Sequence, residues 1–299
     1  MDPFHVWTTF SRTGIRPTDI RLTFGSQRDE TLSAAATETV EAARENVSGS
    51  WFKAVNLRYA VGENLGIAPI PFEYYLARQE LLTSAETRTR YSVTASMLET
   101  LEQEIRVLSS FVAVIVDDHL LLGVRPPEWR ATYPTISVPG GGYLDYDQDF
   151  SNEPEQFPTA AILREVTEEV GVTRDEVSNV RTFGVYEETA SNSDRNPAVF
   201  SRLSVARSRD GVETEWRRAT DANEFERLLW LPLRPTAITE TVRAATTDGD
   251  LPAVLSDQVD FESDSCRFTP KTVLLLFLLG RAMCGENVRS TLQQYVTLE

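Results

Sequence analysis

The sequence predicts an α/β protein: a small N-terminal α/β unit over residues 1–108, then a larger α/β domain over residues 109–299. Three observations predict it. Alternating apolar runs interleave with helix-forming runs along the chain. Near residue 110 the texture changes, and β-branched strands replace charged helices. Beyond that point a strand ends in three glycines and leads, through an acidic stretch, to one sharply delimited helix. A length of 299 residues suits two domains, and the composition is that of an ordinary globular protein.

The elements follow in order. "ETLSAAATETVEAAREN" is rich in helix formers and breaks at "SGS". "WFKAVNLRYAV" alternates and predicts a strand, and "GENLGIAPIPF" a turn into a second extended stretch. "FEYYLARQELL" and "TASMLETLEQEIRVL" predict helices, the second stopping near Leu108. "SFVAVIVDDHLLLGVRP" predicts a hairpin turning at Asp117-Asp118. "WRATYPTISVPGGGYLD" reads as a loop and a short strand, and "YDQDFSNEPEQF" as an acidic loop. "TAAILREVTEEVG" is a helix with apolar positions Ala160, Ala161, Ile162, Val166 and Val170, stopped by Gly171. "VRTFGVYEET" and "PAVFSRLSVARS" are strands. Near the end, Thr269 caps a core helix with Pro270 at its first position. Its apolar run, residues 273–279, is too short to span a bilayer.

The net charge of −16 repels nucleic-acid backbones and anionic lipid, so neither nucleic acid nor membrane is an expected partner. A small anionic substrate needs divalent cations or local arginines to approach. The two cysteines, Cys266 and Cys284, have no zinc-site spacing and read as reduced thiols. With no signal-peptide pattern at the start, the expected location is the cytoplasm.

One stretch carries chemistry. In "LREVTEEVG", residues 163–171, Glu165, Glu168 and Glu169 lie at i, i+3 and i+4, so their carboxylates leave one side of a helix. Like charges at that spacing destabilise a helix, and they sit toward its C-terminal end, where the dipole disfavours anions. A solvated acidic face is one reading. A site for a hard divalent cation is the other, because Mg²⁺ or Mn²⁺ bound through oxygen removes the repulsion. The glycines of "SVPGGGYLD" favour the cation, since they bring backbone close to a ligand and a glycine carbonyl can itself be a donor.

These residues together, "PGGG…AAILREVTEEVGV", resemble the Nudix box: glycines, a loop, then Arg164, Glu165, Val166, Glu168, Glu169, Gly171 and Val172. The segment 164–172 matches completely. Two features depart from the family pattern. Gln156 stands where a Glu is expected eight residues before the Arg, and the loop is about half a dozen residues longer. Glu153, Glu155 or Asp145 are candidates for the missing acid.

The resemblance implies an α/β/α sandwich around a mixed sheet, and Mg²⁺- or Mn²⁺-dependent hydrolysis of a nucleoside diphosphate linked to another moiety. It implies Glu165, Glu168 and Glu169 as cation ligands, the carbonyl of Gly141 completing the shell, and Arg164 orienting the glutamates. The general base is Glu165 or a later carboxylate: Glu187, Glu188, Glu224 or Glu226. The N-terminal segment is similar to the domain that precedes an interrupted box in a nucleotide-sugar (UDP-glucose type) diphosphatase branch, which implies a UDP-sugar substrate. That domain would bind substrate or make a homodimer, with Phe72, Tyr74 and Tyr75 as binding or core aromatics. The competing function is a non-catalytic Nudix-fold nucleotide-binding or regulatory module.

Overall fold

The computed structural model describes residues 4–24, 32–45, 47, 52–127, 134–150, 157–189, 196–247, 251–259 and 267–283. Cys266, Cys284, Glu153, Glu155 and Gln156 lie outside the described residues.

The chain opens with β1 (Phe4–Thr9) and β2 (Arg21–Phe24), then α1 (Ala34–Arg44), β3 (Lys53–Val61), β4 (Asn64–Pro71), α2 (Phe72–Thr83), α3 (Ala85–Arg90) and α4 (Ala95–Glu104). α4 ends four residues earlier than its sequence predicts. Asn56 on β3 accounts for this: its Nδ2 donates to the Glu104 carbonyl at 2.8 Å and its Oδ1 accepts from the Arg106 N–H at 2.5 Å. The helix end is thereby satisfied, and Ile105, Val107 and Leu108, all fully buried, run on as extended chain beside β3.

β5 (Ser109–Val116) and β6 (His119–Arg125) form the expected hairpin. Asp117 and Asp118 both take positive φ, 47° and 58°, as a two-residue turn between twisted strands requires. β7 (Thr135–Ser137) is followed by α5 (Tyr146–Phe150), where the sequence predicted only loop. Reciprocal capping makes that helix. Asp145 Oδ1 accepts from the N–H of Asp147 (2.9 Å) and of Gln148 (3.1 Å), while Asp149 Oδ2 accepts from the Asp145 N–H (2.8 Å). α6 (Thr159–Val170) is the box helix, closed by Gly171 at φ 74°. A Cβ there would stand 2.8 Å from the Glu215 carbonyl. Then come β8 (Val177–Glu188), β9 (Pro197–Val205), α7 (Arg209–Trp216), β10 (Arg227–Pro232), α8 (Pro235–Thr246), α9 (Ala253–Ser256), β11 (Arg267–Phe268) and α10 (Pro270–Met283). Thr269 Oγ1 accepts from the Thr272 N–H and caps α10 as its sequence predicts.

An eight-stranded mixed sheet runs β1-β8-β9-β5-β6-β7-β11, with β10 on β6. Among the described strand pairs of this sheet, only β5/β9 and β7/β11 are parallel. The period of two sorts its side chains. Val112, Val114 and Val116 of β5, Leu121 of β6, and Leu228 and Trp230 of β10 pack with Ile162, Val166 and Val170 of α6 and Val212 of α7. Ala113, Leu120, Leu122, Leu229 and Leu231 face the other way, onto Ile238 and Val242 of α8 and the apolar run of α10. Helices therefore cover both faces, and the expected α/β sandwich on a mixed sheet is what the molecule has. Among the described residues no helix is long and apolar enough to cross a membrane.

A second sheet, β2-β4-β3, carries α1, α2 and α4 on its own core. A cut at residue 108 leaves β1 on the N-terminal side, although β1 pairs with β8 as the edge strand of the large sheet.

Candidate metal centre

The site lies where the glycine turn after β7 meets α6. α6 buries Ala161, Ile162, Val166 and Val170 against the sheet, and this rotation turns Glu165 and Glu169 inward toward the turn. Gly140 adopts φ 91°, and a Cβ on it would press on Val112 and Val166 at 2.7 Å. The turn can therefore sit directly on the β5–α6 packing only as glycine. Its N–H donates to Glu169 Oε2 at 2.5 Å. Gly142 is the second close approach, since a Cβ there would lie 2.2 Å from the Glu165 carboxyl carbon. The Gly142 carbonyl accepts from the Ser110 N–H at 2.8 Å.

Arg164 holds the arrangement. Its Nε and Nη2 donate to the two oxygens of Asp149, both at 3.1 Å. Its Nη1 donates to Glu165 Oε1 at 2.6 Å and Glu168 Oε2 at 3.3 Å, and its Nη2 also reaches the Tyr143 carbonyl at 3.1 Å. Burial alone would lower the Arg164 pKa. The hydrogen bonds to Asp149 and the charges of Glu165, Asp149 and Glu168 outweigh it, and the guanidinium sits above its ordinary value.

The three glutamates leave one face of α6 but end on different partners. Glu165 and Glu168 share Arg164, whereas Glu169 lies between the Gly140 N–H and Arg125, whose Nη2 is 3.8 Å from Glu169 Oε1. Among the described residues no group of three or more His, Cys, Asp or Glu is drawn into a ready metal cage. The donor set nevertheless fits a hard divalent cation: carboxylate oxygens and glycine carbonyls, with no sulfur or imidazole. The site is also short of positive charge. Burial pushes the Glu165 carboxyl up to about 7, despite the lowering effect of Arg164. It pushes Glu169, only 3 % exposed, up to about 8, against the Gly140 N–H and Arg125.

Three participants escaped the sequence reading. Asp149, not Asp145, is the acid on Arg164, while Asp145 is spent on capping α5. The i, i+4 spacing of Asp145 and Asp149 was the available signal. Phe150 and Phe157 stack at 5.3 Å, bringing together the two ends of the stretch beyond Asp149. Arg125, at the end of β6, bonds Glu224 at 2.9 Å and lies 4.8 Å over the Phe225 ring. Nothing local marks it in the sequence. Tyr143, directly after the glycines, is the third.

Of the later carboxylates, Glu224 is brought to the cluster through Arg125. Glu187 accepts from Trp7 Nε1 at 2.8 Å and belongs to the β1–β8 seam, which also places Glu188, and Glu226 donates its N–H to the Val124 carbonyl. Phe72 and Tyr75 are core aromatics, and Tyr74 bonds Glu41.

No family model matches the chain, and no curated protein matches it. Solved structures do. A UDP-X diphosphatase is 14 % identical, covering 75 % of this chain and 94 % of its own, with a TM-score of 0.34. A NUDIX hydrolase from Alicyclobacillus acidocaldarius is 13 % identical, covering 64 % and 97 %, with a TM-score of 0.37. The MutT NUDIX hydrolase from Burkholderia pseudomallei is 16 % identical, covering 56 % and 94 %, with a TM-score of 0.32. Two of these three solved structures are of NUDIX hydrolases.

Proposed function

We propose that the protein is a Nudix-type pyrophosphohydrolase, dependent on Mg²⁺ or Mn²⁺, acting on a nucleoside diphosphate linked to a second moiety. The products are a nucleoside monophosphate and the phosphorylated second moiety. The observation that carries the reading is the pair of buried carboxylates, Glu165 and Glu169, seated on the glycine turn, with the one guanidinium of Arg164 shared among Glu165, Glu168 and Asp149.

In this reading Glu165, Glu168 and Glu169 hold the cation, with the Gly141 carbonyl. When bound, the cation supplies charge neutralisation of the diphosphate and Lewis acidity toward a phosphoryl oxygen and a water. Arg164, anchored by Asp149, fixes the rotamers of Glu165 and Glu168 and so positions two ligands before substrate arrives. Arg125 holds the Glu169 carboxylate in place from the β6 side. A proton taken from the attacking water goes to Glu165 or to Glu224, the later carboxylate that reaches the cluster.

The test is a phosphate-release screen of the full chain with Mg²⁺, Mn²⁺ or EDTA. Nucleoside triphosphates, UDP-sugars, ADP-ribose, NADH and dinucleoside polyphosphates are the substrates. Metal-dependent release of a nucleoside monophosphate is expected, and UDP-sugar cleavage would set the substrate class. Folded protein that binds Mn²⁺ yet cleaves none of them overturns catalysis in favour of a binding module.

A further inference from the structure

The glycine turn does not stand on the large sheet alone. Immediately after it, Leu144 stitches the two sheets together. Its N–H donates to the Leu108 carbonyl at 3.1 Å, its carbonyl accepts from the Val55 N–H at 3.2 Å, and the Leu108 N–H returns to the Val55 carbonyl at 2.7 Å. Bridges Ser109–Tyr143 and Ala54–Asp145 flank it on either side. Residues 143–145 thus run between β3 of the small sheet and the start of β5 of the large one.

Tyr143 is the pivot. Its carbonyl takes a hydrogen bond from Arg164. Its ring lies 5.0 Å from Phe72 and 5.2 Å from Tyr75, and its hydroxyl pairs with that of Tyr75 at 2.8 Å. Phe72 in turn stacks on Phe52 at 4.5 Å. Phe72 and Tyr75 belong to α2 and are buried in the core of the N-terminal unit. One residue therefore joins three things: the glycine turn by covalent continuity, the box arginine by its carbonyl, and the N-terminal core by its side chain.

We infer that the N-terminal unit is a working part of the metal centre, with Tyr143, seated on Phe72 and Tyr75, as a positioning residue for the glycine turn and Arg164. This rests on the metal-dependent reading above. The physical reason is tolerance. Ligand carbonyls and carboxylates hold a cation only within a few tenths of an ångström of the right placement, and a glycine turn has no side chains of its own to lock it. Beside the backbone bonds of Gly140 to Glu169 and of Ser110 to the Gly142 carbonyl, a side-chain lock comes from the residue that follows. Outer partners of this kind change metal affinity by about 10- to 100-fold when removed.

The experiment uses the full chain with Phe72→Ala, Tyr143→Leu and Tyr143→Phe, and Val40→Ala as a control. Val40 is a fully buried residue of α1 in the same N-terminal core. Two readouts are taken at a temperature where all are folded: Mn²⁺ binding by electron paramagnetic resonance, and amide exchange of residues 139–150 by mass spectrometry. Phe72→Ala and Tyr143→Leu are expected to weaken Mn²⁺ binding about tenfold and to speed exchange across 139–150. Tyr143→Phe keeps the ring and recovers most of both, and Val40→Ala matches wild type. Wild-type affinity and protection in Phe72→Ala and Tyr143→Leu overturn the inference, as does an equal change in Val40→Ala. If Phe72→Ala does not fold, Tyr143→Leu, whose ring is half-buried, decides by the same readouts. A wild-type protein that binds no Mn²⁺, while the turn still loosens in Tyr143→Leu, refutes the metal reading and leaves the brace standing.

Discussion

Removing divalent metal should make stability fall as pH rises, and adding it should abolish the fall. Unfolded glutamates release their protons near 4.5, but in the folded, metal-free protein Glu165 keeps its proton to about 7 and Glu169 to about 8. The native state therefore binds more protons than the unfolded state between these values. The unfolding free energy then decreases with pH from about 4.5 and levels out above about 8. Each unit is worth about 1.4 kcal/mol. Raised from 4.5 to about 7 and about 8, the two carboxyls together place on the order of 8 kcal/mol in that window. A cation opposes this directly, because its ligands must be ionised, so it binds tightest where the metal-free protein is weakest. At one hundred times its dissociation constant it adds about 2.7 kcal/mol. The assay is urea unfolding at about pH 5 and about pH 8.5, with EDTA or with Mg²⁺, on the wild type and on a Glu165→Gln, Glu169→Gln double variant. The expected result is a large Mg²⁺ effect at high pH, little at low pH, and a shallower EDTA slope in the double variant. A wild-type slope unchanged in the double variant would show that these carboxyls are not the groups responsible.

Other substitutions test separate parts of the site. Asp149→Asn removes the ionic anchor of a largely buried arginine and should cost about 3 kcal/mol in urea unfolding, with a drop in kcat and weaker Mn²⁺ binding; wild-type kinetics would show that Arg164 needs no such anchor. Gly142→Ala drives a methyl into the Glu165 carboxylate, so kcat should fall at least about 100-fold while circular dichroism stays native. Glu168→Gln and Glu169→Gln should each abolish phosphate release without unfolding the protein, and wild-type rates from either would sink the ligand assignment. Gly171→Ala meets both a positive φ and the Glu215 carbonyl, and should lower stability by about 1–3 kcal/mol, read from the urea midpoint.

What local sequence encodes was legible. α6 announced itself through its apolar stripe and Gly171, and the hairpin through Asp117-Asp118, because these signals act within a few residues. That Arg164, Glu165, Glu168 and Glu169 share α6 was legible for the same reason; that Glu169 ends on the Gly140 N–H and Arg125, apart from the other two, was not. Pairings over long separation were not. β1 alternates no differently from a strand of a separate domain, and only the tertiary fold seats it on β8, some 180 residues away. Asp149 was one acid among several in a polar run, and only the capping of α5 singles it out. Arg125 reaches Glu169 from another strand altogether. α4 was overrun because Asn56, which ends it, lies on a different element.

The clamp of Asp149 on Arg164 and the Phe150–Phe157 stack share a further property: neither draws on the residues between the two phenylalanines. Asp149 is held by α6, and Phe150 is held by Phe157 at the foot of the same helix. The anchor of Arg164 is thus written into the two described ends, so a residue exchanged between them leaves its partners in place.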